Sequence, residues 1–282
     1  MPLSSSASAA QRLREAFPTG RAALIPYLTA GYPTLEAAYE VGEAYVEAGA
    51  DVVEIGVPFS DPLADGPTIQ NTTAQALGNG ANIDYCLRLA DGLSGEGRPP
   101  IVLLIYYNNI LARGTGRFFE EAAASGVTGL VVPDLPVDEI PHLGDRALGS
   151  GVALCPLAAP TSTDERLSQI GRAATGFVYC VSVAGVTGVR EELPPGALDL
   201  LRRVKGFVEA PVALGFGIGS AEAARQAAAG ADGVIIGSKL MQLVGEGGIE
   251  GGARAAGEWL REVRAALDGA VVSGGTGGVG EG

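Results

Sequence analysis

Short apolar runs recur along the chain, and each is followed by a turn and then by an Ala-rich segment with helical spacing. The runs are continuously apolar rather than alternating, which is typical of parallel strands covered by helices. Eight strand candidates are predicted in this way, at residues 23–28, 52–55, 101–106, 129–132, 153–156, 177–182, 212–215 and 233–236. The pattern therefore indicates eight successive βα units.

The joints between predicted helices and strands repeat one small motif. It occurs as AGADVVEIG at residues 48–56, SGVTGLVVPD at 125–134 and AGADGVIIGS at 229–238. Each joint places a glycine where a helix ends in a left-handed turn before the next strand. Because no break in composition divides the eight units, the sequence predicts the α/β class and a single (β/α)₈ TIM barrel.

The two ends of the chain extend beyond the repeating pattern. Residues 11–17 predict an extra N-terminal helix at the bottom of the barrel, and residues 254–267 predict a final amphipathic helix after a flexible GEGG at 245–248. A further short helix is expected near the phosphate-binding turns described below. The expected organisation is a flexible tail at 1–10, a catalytic barrel at 11–267 and a Gly-rich disordered tail at 268–282.

Composition narrows the functional classes. The formal net charge of -13 provides no basic stripe, so nucleic-acid binding is not expected. The chain has 3 cysteines without a CxxC pair, which favours buried thiols over disulfides or a zinc site. No apolar stretch of about 20 residues occurs, so we expect no membrane segment and a cytoplasmic protein.

Two acidic residues are candidates for chemistry. Glu54 lies inside the apolar run that begins at Val52, where burying an unpaired charge would be costly. A core salt bridge is the alternative, although no basic residue is near in sequence. Asp65 follows in the loop after the same strand and competes with Asp61, since turn chemistry alone makes both structural.

Glycine-rich turns follow the sixth, seventh and eighth predicted strands. They are GVTG at 185–188, GFGIGS at 215–220 and GS at 237–238. In barrels of this kind, loops after the last strands and the N-terminus of a short helix often bind phosphate through backbone N–H groups. A dinucleotide site is the weaker alternative, because GFGIG does not match GxGxxG.

Residues that could stabilise a carbanion are scarce. Lys205 is predicted at the end of a helix, Lys239 in the phosphate-side turn, and His142 on an outer helix. Neither a Schiff-base lysine nor a metal site is convincing. Any electron sink would therefore have to belong to the substrate, with the protein supplying acid–base groups and positioning.

Several motifs resemble the tryptophan synthase alpha subunit family over about residues 11–267. They are PYLTAGYP at 26–33, EIGVPFSDPLADGPTIQ at 54–70, LLIYYN at 103–108, VPDLP at 132–136, GVTG, LGFGI at 214–218 and IIGS at 235–238. The resemblance implies retro-aldol cleavage of indole-3-glycerol phosphate to indole and glyceraldehyde 3-phosphate. It also implies no cofactor in this chain and a beta subunit that contains pyridoxal phosphate, in an alpha2beta2 heterotetramer.

The resemblance also implies residue roles. Glu54 and Asp65 would be catalytic together with Tyr179. The substrate-binding residues would be Tyr27, Leu104, Tyr106, Thr187 and Phe216; the phosphate-binding residues Gly188, Gly217, Gly237 and Ser238; and the partner-binding residues Pro58, Asp61 and Asn108. Residues 59–65 and 183–195 would form two mobile loops that close over the site.

One departure from the family pattern and three alternatives remain. Val183 stands where the family often has Arg, which puts loop closure and partner coupling in question. The alternatives are a stand-alone indole-3-glycerol phosphate lyase, an idle barrel that only activates a partner, and a phosphosugar isomerase. The isomerase would usually need aspartates at the ends of strands one and five, where this chain has residues 27–30 and 156–159.

Overall fold

A parallel sheet forms the centre of the molecule. The computed structural model describes residues 8–181, 192–193, 195–215 and 217–269. Within these ranges the strands are β1 Ala23–Thr29, β2 Val53–Gly56, β3 Ile101–Leu104, β4 Val127–Val131, β5 Ala153–Leu154, β6 Leu157–Ala158, β7 Val178–Val181, β8 Val212–Gly215 and β9 Gly233–Ile236. Their order is β5-β4-β3-β2-β1-β9-β8-β7-β6, and every pairing is parallel.

The two strands at the ends of this order are parts of one barrel strand. Only Cys155 and Pro156 separate β5 from β6. The N–H of Cys155 donates to the carbonyl of Leu130 at 2.8 Å, whereas the carbonyl of Pro156 accepts from the N–H of Tyr179 at 2.9 Å. The fifth strand therefore pairs with β4 first and with β7 afterwards. The barrel closes, and the predicted (β/α)₈ fold is confirmed.

Strand limits differ from the predictions by one or two residues at most positions. The strands predicted at 212–215 and 233–236 are confirmed without change. The strand predicted at 101–106 ends at Leu104, because Tyr106 is already the N-cap of the next helix. The prediction of one regular strand at 153–156 is wrong, because the pairing passes from β4 to β7 at Cys155 and Pro156 and divides the strand in two.

Helices cover the outside of the described barrel. They are α1 Ala9–Glu15, α2 Leu35–Glu47, α3 Pro67–Gly78, α4 Ile83–Leu93, α5 Tyr107–Arg113, α6 Thr115–Ala124, α7 Ile140–Ser150, α8 Asp164–Ala173, α9 Ala197–Lys205, α10 Ala221–Ala228 and α11 Ser238–Asp268, with a 3₁₀ turn at Val137–Glu139. Several begin with a side-chain cap, as at Thr34, Asn82 and Ser220, whose oxygens accept from a backbone N–H three residues on.

Helix α1 closes the bottom of the barrel. Its Leu13 is fully buried among Val102, Phe177 and other barrel-interior side chains. The helix begins two residues earlier than predicted because Ser8 is its N-cap. The last residues of the expected tail at 1–10 therefore belong to the cap and the helix, whereas residues 1–7 lie outside the described ranges.

Helix α11 consists of two helices joined at one residue. Gly248 has a non-helical backbone, with φ 62° and ψ -163°. The flexible GEGG predicted at 245–248 is wrong for residues 245–247, which are helical. Residues 238–247 form the short extra helix that was expected, and α11 as a whole packs against α2 and α10. Of the tail expected at 268–282, Asp268 ends α11, and residues 270–282 lie outside the described ranges.

Three further expectations concern the cysteines, membrane-spanning segments and the single histidine. The thiols of Cys86, Cys155 and Cys180 are buried and unpaired, as predicted. Among the described residues, no helix has the length and apolar character needed to span a membrane. His142 is exposed on α7, which confirms its predicted place outside the barrel.

Candidate active site

A pocket opens where the strands reach their carboxyl ends. Its lining contains residues singled out in the sequence, from β1, β2, β3 and β7 and from the turns after β8 and β9. These are Tyr27, Glu54, Asp65, Leu104, Tyr179, Gly217, Gly237 and Ser238. Parallel strands of a barrel end on one face, so residues far apart in sequence meet here.

Glu54 enters the pocket from β2. Only 1% of the residue is exposed, and neither carboxyl oxygen has a hydrogen-bond partner among the described residues. Burial, and to a smaller extent the nearby Asp65, raise the pKa of Glu54 to about 8. The core salt bridge considered above is absent from the described part of the chain. At neutral pH Glu54 therefore holds its proton.

Asp65 reaches the pocket from the loop after β2. Burial raises its pKa to about 6, and a hydrogen bond from Tyr106 partly opposes that rise. The hydroxyl of Tyr106 donates to Oδ2 of Asp65 at 3.1 Å. At neutral pH Asp65 is therefore ionised while Glu54 is not. The competing Asp61 is exposed and does not line the pocket.

Tyr106 holds the loop rather than lining the pocket. Its hydroxyl accepts a hydrogen bond from the N–H of Ala64 at 3.0 Å, beside the bond that it donates to Asp65. Its ring stacks on Phe59, with 5.0 Å between the ring centroids. The prediction placed Tyr106 in the wall of an indole pocket, but the structure gives it contacts with both ends of the loop 59–65.

Tyr27 and Tyr179 occupy equivalent places on different strands. A Cβ at Gly56 would collide with the hydroxyl of Tyr27, and a Cβ at Gly215 would collide with the ring and hydroxyl of Tyr179. Each tyrosine therefore lies over a glycine near the end of the next barrel strand. Burial raises the pKa of both hydroxyls well above 10, and Glu54 and Asp65 contribute to the rise in both.

Glycines after β8 and β9 line the part of the pocket for which phosphate binding was predicted. Gly217 has a left-handed conformation with φ +86°, which a side chain would strain. Gly237 precedes α11, so the free N–H groups of that helix begin at the pocket wall. The other predicted residues of this region, Thr187, Gly188 and Phe216, lie outside the described residues, as does Val183.

Three apolar pocket residues were missed in the sequence. Ile69, Ile218 and Ile235 line the pocket beside Leu104. All three belong to motifs quoted above, but no role was assigned to them. Ile235 is two residues before Gly237 on β9, so the two-residue period of a strand could have placed it on the inward face.

The partner-binding candidates follow the carboxyl ends of β2 and β3 but differ in exposure. Asp61 and Asn108 are exposed, whereas Pro58 is buried within this chain. Any contact of Pro58 with a partner would therefore need a different arrangement of its loop. No group of His, Cys, Asp and Glu side chains in the described residues could hold a metal ion.

The fold and the pocket are those of a barrel enzyme, with the carboxyl groups of Glu54 and Asp65 and the glycines Gly217 and Gly237 lining one cavity. A sequence model of the family described as "Tryptophan synthase alpha chain" matches residues 13–266. The tryptophan synthase alpha chain of Synechococcus elongatus is 46% identical over 250 residues, covering 88% of this chain and 92% of the relative. That of a Picosynechococcus species is 41% identical and covers 92% and 99%.

Solved structures agree with the sequence relatives. A chain of Mycobacterium tuberculosis tryptophan synthase superposes with a TM-score of 0.85 at 37% identity, covering 93% of this chain and 99% of the other. A tryptophan synthase alpha-subunit variant from Pyrococcus furiosus gives 0.80 at 40% identity, with 87% and 99% covered. The chain therefore belongs to the tryptophan synthase alpha chain family. It is a lyase of tryptophan biosynthesis that acts on indole-3-glycerol phosphate.

Proposed function

We propose that Glu54 moves the protons of the retro-aldol cleavage and that Asp65 holds the indole ring. The observation that supports this division is the difference in ionisation within one pocket. The pKa of Glu54 is raised to about 8 and that of Asp65 to about 6, so near neutral pH the first is an acid and the second an anion.

The cleavage begins with proton transfer to the indole ring. The carboxyl group of Glu54 gives its proton to the ring carbon that bears the side chain, and the ring nitrogen becomes positively charged. The carboxylate of Glu54 then accepts the proton of the neighbouring side-chain hydroxyl. The bond between the two carbons breaks, its electron pair returns to the ring, and the products are indole and glyceraldehyde 3-phosphate.

Asp65 stabilises the charge that develops on the ring. Its carboxylate accepts a hydrogen bond from the indole N–H, which strengthens as the nitrogen becomes positive. The bond from Tyr106 orients this carboxylate and favours its ionised form. Leu104 and the three isoleucines form apolar walls for the ring, and Tyr179 helps to keep water from Glu54.

Backbone groups bind the phosphate at the other end of the pocket. Gly217 and Gly237 present N–H groups without side chains in the way, and Ser238 adds a hydroxyl at the first turn of α11. Gly188 and Thr187 are assigned by the family resemblance alone. The formal net charge of -13 opposes binding of a phosphate, so these local dipoles have to supply the attraction.

A beta subunit that contains pyridoxal phosphate is the proposed partner, in an alpha2beta2 assembly in the cytoplasm. The family membership supports a beta partner, and Asp61 and Asn108, which are exposed after the carboxyl ends of β2 and β3, are its proposed contacts. We expect no cofactor in this chain itself. Size-exclusion chromatography with the beta protein separates this proposal from the stand-alone lyase, since only the first predicts a complex.

Two substitutions test the acid–base assignment. Glu54→Gln and Asp65→Asn should fold and bind phosphate yet lose most of their turnover in an indole-release assay. Glu15→Gln, an exposed change on α1 at the opposite end of the barrel, should keep it. Near-normal indole formation by either pocket variant would overturn the assignment.

A third substitution tests the phosphate site. Ser238→Asp places a negative charge at the N-terminus of α11, where it repels phosphate. We expect the Michaelis constant to rise more than the turnover number falls. Inorganic phosphate should also stabilise the variant against unfolding less than it stabilises the wild type. An unchanged Michaelis constant would show that phosphate binds elsewhere.

A further inference from the structure

Three buried hydroxyl groups form a chain beneath the pocket. The hydroxyl of Tyr27 lies 3.2 Å from Oγ1 of Thr29, which lies 2.8 Å from Oγ1 of Thr72. The hydroxyl of Thr72 in turn lies 3.0 Å from the backbone carbonyl of Ile69. Thr29 is two residues after Tyr27 on β1, so both side chains face the same way, whereas Thr72 comes from α3.

The carbonyl of Ile69 determines which hydroxyl is the donor in each of these three hydrogen bonds. A carbonyl can only accept, so the single proton of Thr72 goes to Ile69. Thr72 must then accept from Thr29, and Thr29 must accept from Tyr27. Any other arrangement leaves at least one of the three contacts without a proton, which is costly for buried hydroxyls.

This direction decides what Tyr27 can offer to a ligand. Its single proton is committed to Thr29, so only oxygen lone pairs remain. Tyr27 lines the pocket with Glu54, its register partner on β2. The Cβ and Cγ atoms of Tyr27 lie against Gly237, and its hydroxyl lies over Gly56. The side chain therefore runs from the proposed phosphate site toward the strand that contains Glu54.

We propose that the hydroxyl of Tyr27 accepts a hydrogen bond from a hydroxyl of the substrate's glycerol side chain, with Thr29 and Thr72 as positioning residues. This inference rests on the proposed function. The substrate offers the ring N–H and the two side-chain hydroxyls as donors. The ring N–H is assigned to Asp65, and the side chain joins the ring to the phosphate along the path that Tyr27 follows.

The first experiment separates hydroxyl recognition from general packing. Tyr27→Phe keeps the ring and should raise the Michaelis constant for indole-3-glycerol phosphate about 3- to 10-fold, as expected for one lost neutral hydrogen bond. An analogue with indole and phosphate joined by a plain three-carbon chain has neither hydroxyl. Its dissociation constant, measured by calorimetry, should be the same for the variant and the wild type.

The second experiment tests the positioning role of Thr72. Thr72→Ala lets Thr29 donate to Tyr27 instead, so the Michaelis constant should rise in the wild-type background but not further in Tyr27→Phe. Thr72→Ser keeps the hydroxyl and should restore the wild-type value. Thr73→Ala is the matched control, because Thr73 is buried next to Thr72 on α3 and does not take part in the hydrogen bonds between Tyr27, Thr29 and Thr72.

Each outcome bears on the inference separately from the cleavage mechanism. Equal weakening of substrate and analogue by Tyr27→Phe would overturn it, as would additive effects of Tyr27→Phe and Thr72→Ala. An unchanged Michaelis constant in Tyr27→Phe would also overturn it. The acid–base assignment of the proposed function fails instead if Glu54→Gln or Asp65→Asn stays active, which is measured in the same assay.

Discussion

Glu54 and Asp65 are chemically alike, and their surroundings give them different pKa values. The backbone of Glu54 pairs within the sheet, and its side chain is buried in the barrel interior. Asp65 lies on a loop and gains a hydrogen bond from Tyr106. Because the more deeply buried Glu54, which has no hydrogen-bond partner among the described residues, has the higher pKa, it stays protonated at a pH where Asp65 is ionised.

The raised pKa of Glu54 predicts a stability effect with a definite sign. Below its ordinary value of 4.5 the group is protonated in both the folded and unfolded chain; as pH rises toward about 8, only the unfolded chain releases the proton. Stability is therefore lost over that window. Glu54→Gln removes this loss and should be more stable than the wild type by about 4 kcal/mol at pH 8.

Urea unfolding at pH 5 and at pH 8 measures this effect. The advantage of Glu54→Gln over the wild type should be small at pH 5 and large at pH 8. Asp65 is present in both proteins, so its own titration contributes to both curves. An advantage that does not grow with pH would contradict the raised pKa.

At the scale of helices and strands, the sequence predicted the elements better than their joints. Eight apolar runs were sufficient for the barrel, because continuous burial of a parallel strand leaves a strong signal. The split at Pro156 was not predicted, since it depends on which neighbour each half of the strand meets. The GEGG run was predicted to be flexible because glycine disfavours helices, but packing of α11 keeps residues 245–247 helical.

The residues of the candidate site could also be predicted better than the contacts between them. Glu54 was recognisable because a carboxylate inside an apolar run is unusual. Asp65 could be separated from Asp61 only by family resemblance, since both have the same turn chemistry. The contact of Tyr106 with Asp65 and the chain from Tyr27 to Thr72 were not predictable, because they depend on side-chain directions between elements 41 and 43 positions apart.

The joint in α11 gives a prediction with an internal control. Gly248 has φ +62° and ψ -163°, a region that is essentially open to glycine alone. Gly248→Ala should lower the free energy of unfolding by about 1–3 kcal/mol. Gly251→Ala, three residues on in the helix and with open space around a Cβ, should be neutral or stabilising by up to about 1 kcal/mol.

Thermal and urea unfolding of the two variants at one pH provide the comparison. If Gly248→Ala were as stable as Gly251→Ala, the break would not depend on glycine. A rise in the Michaelis constant confined to Gly248→Ala is also expected, because the break sets the direction of the helix that begins at Ser238.

At the scale of the whole molecule, ion pairs of one carboxylate connect the first and last elements of the barrel. Asp51 accepts two bonds from Arg21, each at 2.7 Å, and one from Arg264 at 2.9 Å. It also accepts from the N–H of Leu24 at 2.8 Å. One carboxylate therefore joins the segment before β1, the turn before β2 and the final helix.

Removing this carboxylate should destabilise the molecule without touching the pocket. Asp51→Ala removes one of the two carboxylates that pair with Arg264, which is 13% exposed, and leaves only Asp268. The change should cost about 1–3 kcal/mol, as expected for lost hydrogen bonds to charged groups. Asp199→Ala breaks an ion pair with Arg202 whose side chains are 73% and 77% exposed, and should cost less than about 1 kcal/mol. If urea unfolding showed equal losses of unfolding free energy in the two variants, the stabilising role of Asp51 would be contradicted.

The opposite ionisation of the two pocket carboxyl groups can be observed directly by carbon-13 NMR of protein labelled at the side-chain carboxyl carbons of Glu and Asp. The signal missing from Glu54→Gln belongs to Glu54, and the one missing from Asp65→Asn belongs to Asp65. We expect midpoints near pH 8 for Glu54 and near pH 6 for Asp65. A Glu54 signal that titrates near its ordinary pKa of 4.5 would contradict the proposed acid and with it the mechanism.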